Sequence, residues 1–427
     1  VGSVRCGDAP GRALGRTQSN RARVACVAAL AGSPGTQVLA ATPEASNFAE
    51  MFDKGKLILD FRYRYEAVEQ QGFDQDAGAS TLRSRLGFSS AALNNFSFLL
   101  EFDDVTSIGA EDYNSTVNGN IQYPVVADPT GTDINQGYLK YDNHQAAGVL
   151  GRQRIIHSNQ RFIGGVAWRQ NEQTYDGLRA SWQDNQAFKL DYSYVANVSR
   201  IFGPDDGANP ADLEGQNHFF IGDWRAAEQH KLSVFVYLLD FDPQEGYASG
   251  KTVDNSSNTW GLEYNGSFAA GKIHAAWATQ TDAGDSTLDY DADYYVIDGS
   301  AKTGPVTLGA GYEVLGAGDG VGFKTPLATL HKFQGWADKF LATPADGIED
   351  IYISAAGMTG PVKLQAIYHD FSAEQGDADF GTEIDLAATW KINQYFVTQL
   401  KYADFSTDNP ARYPDTKKTW LTLQFKL

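Results

Sequence analysis

Apolar and polar residues alternate in short runs along most of this chain. From Leu57 the side chains of Leu57, Leu59, Phe61, Tyr63 and Tyr65 share one side of an extended segment, and Asp60, Arg62 and Arg64 share the other. A period of two marks a strand with one apolar and one polar face, because successive side chains of an extended chain point to opposite sides. The pattern returns at Phe96, Phe98, Leu100 and Phe102 against Ser97, Glu101 and Asp103, and at Phe188, Leu190, Tyr192 and Tyr194 against Lys189, Asp191 and Ser193. The chain closes on Leu421, Leu423, Phe425 and Leu427 against Thr422, Gln424 and Lys426. Eighteen strands are predicted: 57–65, 81–89, 95–104, 134–141, 146–153, 173–182, 186–197, 217–224, 230–240, 258–266, 271–280, 292–301, 304–313, 349–356, 360–370, 380–391, 394–405 and 417–427. Alternation is least clean at 173–182, 217–224 and 292–301.

Most of these segments have the length that crosses a bilayer when tilted, about ten residues. Their connections alternate between long, beginning with 66–80, 105–133 and 154–172, and short, beginning with 90–94, 142–145 and 183–185. The longest, 314–348, follows the same order. A soluble sandwich has no reason for such regularity. Short periplasmic turns, long extracellular loops and both termini on the periplasmic side produce it. The aromatics agree: Phe88, Phe96, Trp182, Phe188, Trp224, Trp390, Phe396 and Phe425 fall toward the short turns, and Tyr65, Phe102, Tyr194, Tyr312 and Tyr368 toward the loops. Two girdles at the lipid–water boundaries are the expected outcome. The predicted fold is therefore all-β, an 18-stranded antiparallel transmembrane β-barrel over 56–427.

Ahead of the barrel, basic residues up to Arg23 precede the apolar stretch 24–32, and Val38-Leu39-Ala40 ends in small residues. This describes a secretory signal peptide over 1–40. Residues 41–55 then form a short periplasmic segment. Inside the long loop 314–348, the stretch 325–344 places Leu327, Leu330, Phe333, Ala337, Phe340 and Leu341 at helical spacing between Pro326 and Pro344. A helical lid or constriction is the expectation there.

Eighteen strands enclose more space than wall side chains fill, so an aqueous lumen is expected and its lining sets selectivity. Arg62, Arg64, Arg83 and Arg85 come from the first two strands. Arg152 and Arg154 come from the fifth, and Arg161 and Arg169 from the loop after it. Two readings of these arginines stand side by side. They form wall salt bridges with Asp60, Glu66, Glu101, Asp103 and Asp176, or they form a guanidinium track for carboxylates or phosphates.

Composition narrows the function. The net charge of -19, with the basic residues of 1–40 included, makes nucleic acid a poor partner. The two cysteines, Cys6 and Cys26, both precede the barrel, so no cysteine metal site or disulfide framework exists within it. Of the seven histidines, His144 and His230 lie in or beside short turns and His274 and His369 are isolated inward positions, and no G-x-S-x-G or H-E-x-x-H run occurs. Neither an enzyme nor a cofactor is expected. The acid run Asp282, Asp285, Asp289, Asp291 and Asp293 reads as a solvated loop or a bridge to lipopolysaccharide phosphates through divalent cations.

Four runs carry a resemblance: YPVVADPTGTDINQGYLKY at 123–141, GRQRI at 151–155, QRFIGGVAWRQNEQTYDG at 160–177, and 325–344. Together they make residues 56–427 similar to the bacterial alginate-export family of outer-membrane proteins. That resemblance implies an eighteen-strand barrel whose arginine-lined constriction passes an anionic polyuronate. It places Arg152, Arg154, Arg161 and Arg169 at the constriction with Asp176 as a partner. Alginate-secreting members carry a long periplasmic plug turn, whereas every predicted periplasmic turn here is short.

The expected function is passive outer-membrane diffusion of anionic solutes, uronate oligosaccharides or polysaccharides among them. The alternatives are an exopolysaccharide secretion pore and a non-conducting adhesin or receptor barrel. The expected surroundings are the lipid bilayer and lipopolysaccharide, with barrel-assembly machinery engaging the terminal strand that ends Phe425-Lys426-Leu427.

Overall fold

The computed structural model describes residues 43–184 and 187–427. The predicted leader, 1–40, lies outside these residues. Twenty strands follow one short helix, α1 (Phe48–Asp53). They run β1 (Lys56–Gln70), β2 (Ala77–Ser89), β3 (Phe96–Asp112), β4 (Gly131–Asp142), β5 (Ala146–Gln153), β6 (Thr174–Gln183) and β7 (Phe188–Ser199). Next are β8 (Asp212–Ala227), β9 (His230–Leu239), β10 (Ser257–Phe268), β11 (Gly271–Asp282), β12 (Asp291–Thr303) and β13 (Val306–Leu315). A small hairpin, β14 (Ala317–Gly318) and β15 (Val321–Gly322), precedes β16 (Ile348–Thr359), β17 (Val362–Ser372), β18 (Asp379–Lys391), β19 (Phe396–Thr407) and β20 (Thr416–Lys426).

All except β14 and β15 belong to one antiparallel sheet of eighteen strands, each paired with its neighbours in the chain. The sheet closes where β1 pairs with β20, from Asp60 opposite Lys426 to Gln70 opposite Thr416. Closure leaves no open edge, the condition under which a sheet crosses lipid. Each of the eighteen predicted segments lies within or overlaps one barrel strand. Among the described residues no helix is long and apolar enough to cross a membrane.

The strands outrun their alternating segments at the long-loop end. There β1 and β2 continue until only 71–76 connects them, and β3 continues to Asp112. The first connection is thus as short as 90–95 at the opposite end. Beyond the bilayer both faces of a strand meet water, so apolar alternation stops while backbone pairing continues. At the other end α1 docks beside the β2–β3 turn. Asn47 caps it by accepting the Glu50 N–H at 3.1 Å, and Ala91 N–H donates to Met51 O at 2.9 Å. Phe52 packs on outward-facing Phe88 and Phe98, with ring centroids at 5.9 and 5.7 Å.

The predicted helix over 325–344 is absent. Only one 3-10 turn forms, Leu330–Lys332. Gln334, Gly335 and Asp338 have φ of 47, 78 and 59°, a left-handed backbone that a right-handed helix cannot include. The helical spacing has another origin. This loop folds inward, and its apolar residues are spaced to meet an aromatic wall. Phe340 lies 4.7 Å from Phe371 and 5.9 Å from both Phe380 and Phe405. Leu327, Ala328 and Ala337 are buried with it.

The direction of the barrel is open to a direct check. Thiol reagents applied to whole cells are expected to label single cysteines placed in 113–130 or 240–256 and to miss those in 143–145 or 392–395. Labelling of the short turns in intact cells reverses the orientation.

Candidate functional site

Register brings four guanidiniums together. Arg62 stands directly opposite Arg83 across β1 and β2, with Arg64 and Arg85 two residues away on the same inward face. Like charges opposite one another destabilise a sheet unless counter-charge lies close. Arg62 and Arg83 are 2% exposed, Arg64 is 1% exposed and Arg85 is 7% exposed. They are dry because loop 154–173 folds into the barrel and lies upon them.

The counter-charges follow the salt-bridge reading for much of the set. Arg83 donates to Asp60 at 2.8 Å, and Arg85 makes two hydrogen bonds to Asp103 at 2.7 and 2.6 Å. Arg169 reaches Glu66 at 3.0 Å, and Arg154 reaches Glu101 at 2.7 Å. Arg161 Nε lies 3.1 Å from Glu313, with its guanidinium 4.7 Å above Phe333. The bidentate Arg85–Asp103 contact is the strong form of a charged hydrogen bond.

Two arginines differ. Arg62 donates Nε to Gln170 Oε1 at 2.9 Å and Nη1 to the Ala167 carbonyl at 2.8 Å, and its Nη2 donates to the Arg169 carbonyl. All three acceptors are neutral. None of the three Arg64 nitrogens has a hydrogen-bond partner. The nearest carboxylate oxygen, Asp128 Oδ2, is 3.9 Å away, and Arg64 Cζ sits 4.1 Å from the centre of the Trp168 ring.

Arg152 and Asp176 do pair, at 2.8 Å through both guanidinium branches. They are not lumen lining, however. Arg152 shares a strand face with Leu150, and Asp176 with Leu178, and those leucines are exposed on the outside of the barrel. The pair is a clasp on the outer face near the loop end, joined by Asp133 at 3.2 Å. Val149 and Leu150 are both apolar, so the phase of alternation in β5 is ambiguous from sequence. Arg154 turns inward because β5 has ended at Gln153.

Three outer loops each deliver a carboxylate that the sequence reading did not single out. Asp128 comes from 113–130, Glu172 from 154–173 and Asp338 from 316–347. Glu172 accepts from Arg85 at 2.8 Å, from Arg154 at 2.7 and 2.6 Å, and from Asn135 at 3.0 Å. Burial alone would raise this carboxyl; the Arg154 and Arg85 guanidiniums overcome that and hold it well below the usual carboxylate range. Its place in the run 160–177 was the only signal available.

The second infolded loop locks onto the first. His331 stacks on Trp168 at 4.4 Å and 7°. Its Nδ1 lies 2.7 Å from Asp338, and Lys401 donates to its Nε2 at 2.6 Å. Lys401 Nζ also sits 3.6 Å from the Trp336 ring centre and 4.1 Å from that of Trp168. Lys418 donates to Asp338 at 2.7 Å. The two loops touch so closely at Gly164 that a Cβ there would meet Thr329 Oγ1 at 2.4 Å. Opposite the basic wall, Phe162 meets Phe235 and Tyr294 at 4.9 and 5.3 Å. This interior therefore has a charged side and an aromatic side, where a polar lining was expected throughout.

His274 and His369 are not isolated. His274 lies 2.6 Å from Asp298, and His369 lies 2.9 Å from Asp350 and 3.7 Å from Asp385. Among the described residues no cluster has the makings of a metal site.

Alginate export is the family whose sequence pattern matches residues 55–312. The chain belongs to that family. No curated protein matches it. Solved structures with the same fold include Acinetobacter baumannii OccAB4, at 14% identity and a TM-score of 0.61 over 87% of this chain and 98% of that one. Pseudomonas aeruginosa OpdK with vanillate gives 12% identity and a TM-score of 0.67 over 88% of this chain and 99% of its own. Pseudomonas aeruginosa OccK3 gives 11% and 0.64 over 89% and 97%. This alginate-export barrel is thus a porin-like protein of the outer membrane. Among the described residues no long turn occurs at the short-turn end, where 90–95 is the longest connection.

The latch between the loops should respond to pH. Burial drives the His331 imidazole down to about 3 from 6.5, with Asp338 pulling it up and Lys401 and Arg169 adding to the fall. A base whose folded value is depressed keeps its full contribution above the free value and loses it as pH drops toward the seated one. The latch therefore weakens from about pH 6.5 downward, by at most about 1.4 kcal/mol per pH unit. Single-channel conductance is expected to rise between pH 7.5 and 5, and His331→Gln to remove the change. A wild-type conductance equal at both values rules the latch out as a pH-responsive element.

Proposed function

We propose that this protein is a passive diffusion channel for anionic solutes, uronate oligosaccharides among them. The observation that carries the reading is the pair Arg62 and Arg64. Both guanidiniums are buried, and neither has a carboxylate within hydrogen-bond reach. An unpaired buried charge costs several kcal/mol, roughly 3–5 when a partner is removed. A wall that keeps two guanidiniums, one bonded only to neutral acceptors and one with its nearest carboxylate at 3.9 Å, favours the arrival of an anion. The similarity in fold to OpdK, a protein solved with vanillate, is in keeping with a carboxylate as that anion. In this reading the bilayer and lipopolysaccharide surround the barrel, assembly machinery engages the strand ending Phe425-Lys426-Leu427, and no catalysis takes place.

A second reading rests on the dryness of the same wall. Two loops cover the basic patch, as they would in a non-conducting receptor or adhesin barrel. One record separates the two. In a planar bilayer under a KCl gradient, the reversal potential should show preference for chloride. Arg154→Gln should shift it toward potassium, because Arg154 is the arginine of this network with its side chain still 26% exposed to water. Arg152→Gln should leave it in place, since that residue faces outward. High salt should shrink the preference, with screening over about 8–10 Å. Potassium preference in the wild type defeats the anion reading, and absence of any conductance favours the receptor.

A further inference from the structure

Asp338 occupies an unusual position for a loop carboxylate. Lys418 reaches it at 2.7 Å, His331 at 2.7 Å and Arg169 at 3.3 Å. The three donors come from a wall strand, from its own loop and from the other infolded loop. Burial opposes the charge, yet His331, Lys418 and Arg169 hold the carboxyl well below the usual carboxylate range. Three cationic or N–H donors converging on one carboxylate in a dry interior make an anion-binding arrangement.

The surroundings of this arrangement contain groups that Asp338 does not satisfy. Arg64, with no hydrogen bond on any nitrogen, lies on Trp168, and Trp168 is the ring that His331 stacks against. The indole N–H groups of Trp168 and Trp420 are likewise buried without acceptors. These two rings stand edge-to-face at 5.8 Å. The site therefore offers more than one aspartate uses: a carboxylate at its centre, and unsatisfied guanidinium and indole N–H groups at its border.

We propose that Asp338 is the internal occupant of a solute site, and that the carboxylate of a passing solute binds there in its place. This rests on the anion-channel reading and adds the location of the site and the class of its ligand. Arg169, Lys418 and the His331 N–H take the carboxylate. Arg64 takes an oxygen beside it. Of the three loop carboxylates, Asp338 is the one suited to leave. Glu172 lies two residues before β6, and Asp128 is tied to the Gln170 backbone N–H at 2.8 Å. Asp338 lies mid-loop, and the charged contacts of its carboxylate are all to side chains. Its departure exchanges one carboxylate for another, so the buried cations keep a counter-charge throughout.

The test uses the full-length protein in planar bilayers, with sodium glucuronate and sodium benzoate as blockers of the KCl current. Asp338→Asn empties the site of charge at nearly constant volume. One of the two blockers should then act at a concentration at least ten-fold lower than on the wild type, and which one does so identifies the solute as a saccharide or an aryl carboxylate. Adding Lys418→Gln to that variant should return the block to wild-type strength or weaker. Unchanged block by both compounds in Asp338→Asn overturns the proposal, as does tight block that persists in the double variant. A wild type that prefers potassium instead defeats the channel reading beneath it, so the two failures are distinct. Should Asp338→Asn not assemble, Ala337→Cys in the otherwise native chain serves the same purpose. Maleimide labelling of this buried position should quicken at least five-fold with one blocker, and an unchanged rate with both overturns the proposal.

Discussion

A backbone amide at bilayer depth has no water to turn to, so every strand must find a partner on both sides. Here that requirement is met last at the seam between β1 and β20, where the terminal strand pairs with the first along eleven positions. The closed ring fixes the rest. It sets a radius that wall side chains cannot span, and it turns the inward face of every strand toward a shared interior. Because the register at β1 and β2 is held by the ring, Arg62 and Arg83 cannot slip apart. Their repulsion has to be answered by what enters the lumen.

What enters is loop chain, and its two halves answer two different demands. On the charged side, 154–173 brings carbonyls to Arg62 and a carboxylate to Arg85. On the aromatic side, 325–344 brings Phe340 to Phe371 and Phe405. Glycine permits the close approach where loop meets wall: a Cβ at Gly335, itself at φ 78°, would meet the Glu383 carboxylate at 2.4 Å. The peptide nitrogens that follow, Trp336 and Ala337, donate to Asp385 and Glu383 at 3.2 and 2.7 Å. The loop is thus held by its backbone on one flank and by Asp338 and His331 on the other.

The wall was legible in the sequence because a strand between lipid and lumen must alternate. The alternation was least clean in β6, β8 and β12 for a structural reason. Tyr175, Phe219 and Tyr294 point inward there, to the aromatic side, so both faces are apolar. Five wall or rim acids, Asp60, Glu66, Glu101, Asp103 and Asp176, were nameable as partners because they sit on or beside strands. Asp128, Glu172 and Asp338 were not, since loop side chains obey no period and their contacts come from chain segments up to 169 residues away. Arg152 shows the limit within strands. One residue of phase separates a lumen arginine from an outer clasp, and two adjacent apolar residues left that phase open.

Buried ion pairs add little net stability, because desolvation consumes most of the attraction, yet breaking one is costly. That asymmetry shapes what such an interior can do. A wall of paired guanidiniums resists any event that strips a partner and leaves charge bare, and it tolerates an event that swaps partners. Water alone does not readily part the loops from the wall, whereas an anion that arrives as a carboxylate leaves preserves the charge balance at each stage. Arg62 and Arg64 lower the barrier further, since neither has a carboxylate to release first. The acidity of the protein as a whole does not oppose this. Loop charges beyond a Debye length of about 8 Å are screened, while the guanidiniums act across contact distance in a dry setting. Selectivity and closure are then two aspects of one arrangement, in which the carboxylates that seal the lumen have the same chemistry as the solutes proposed to pass through it.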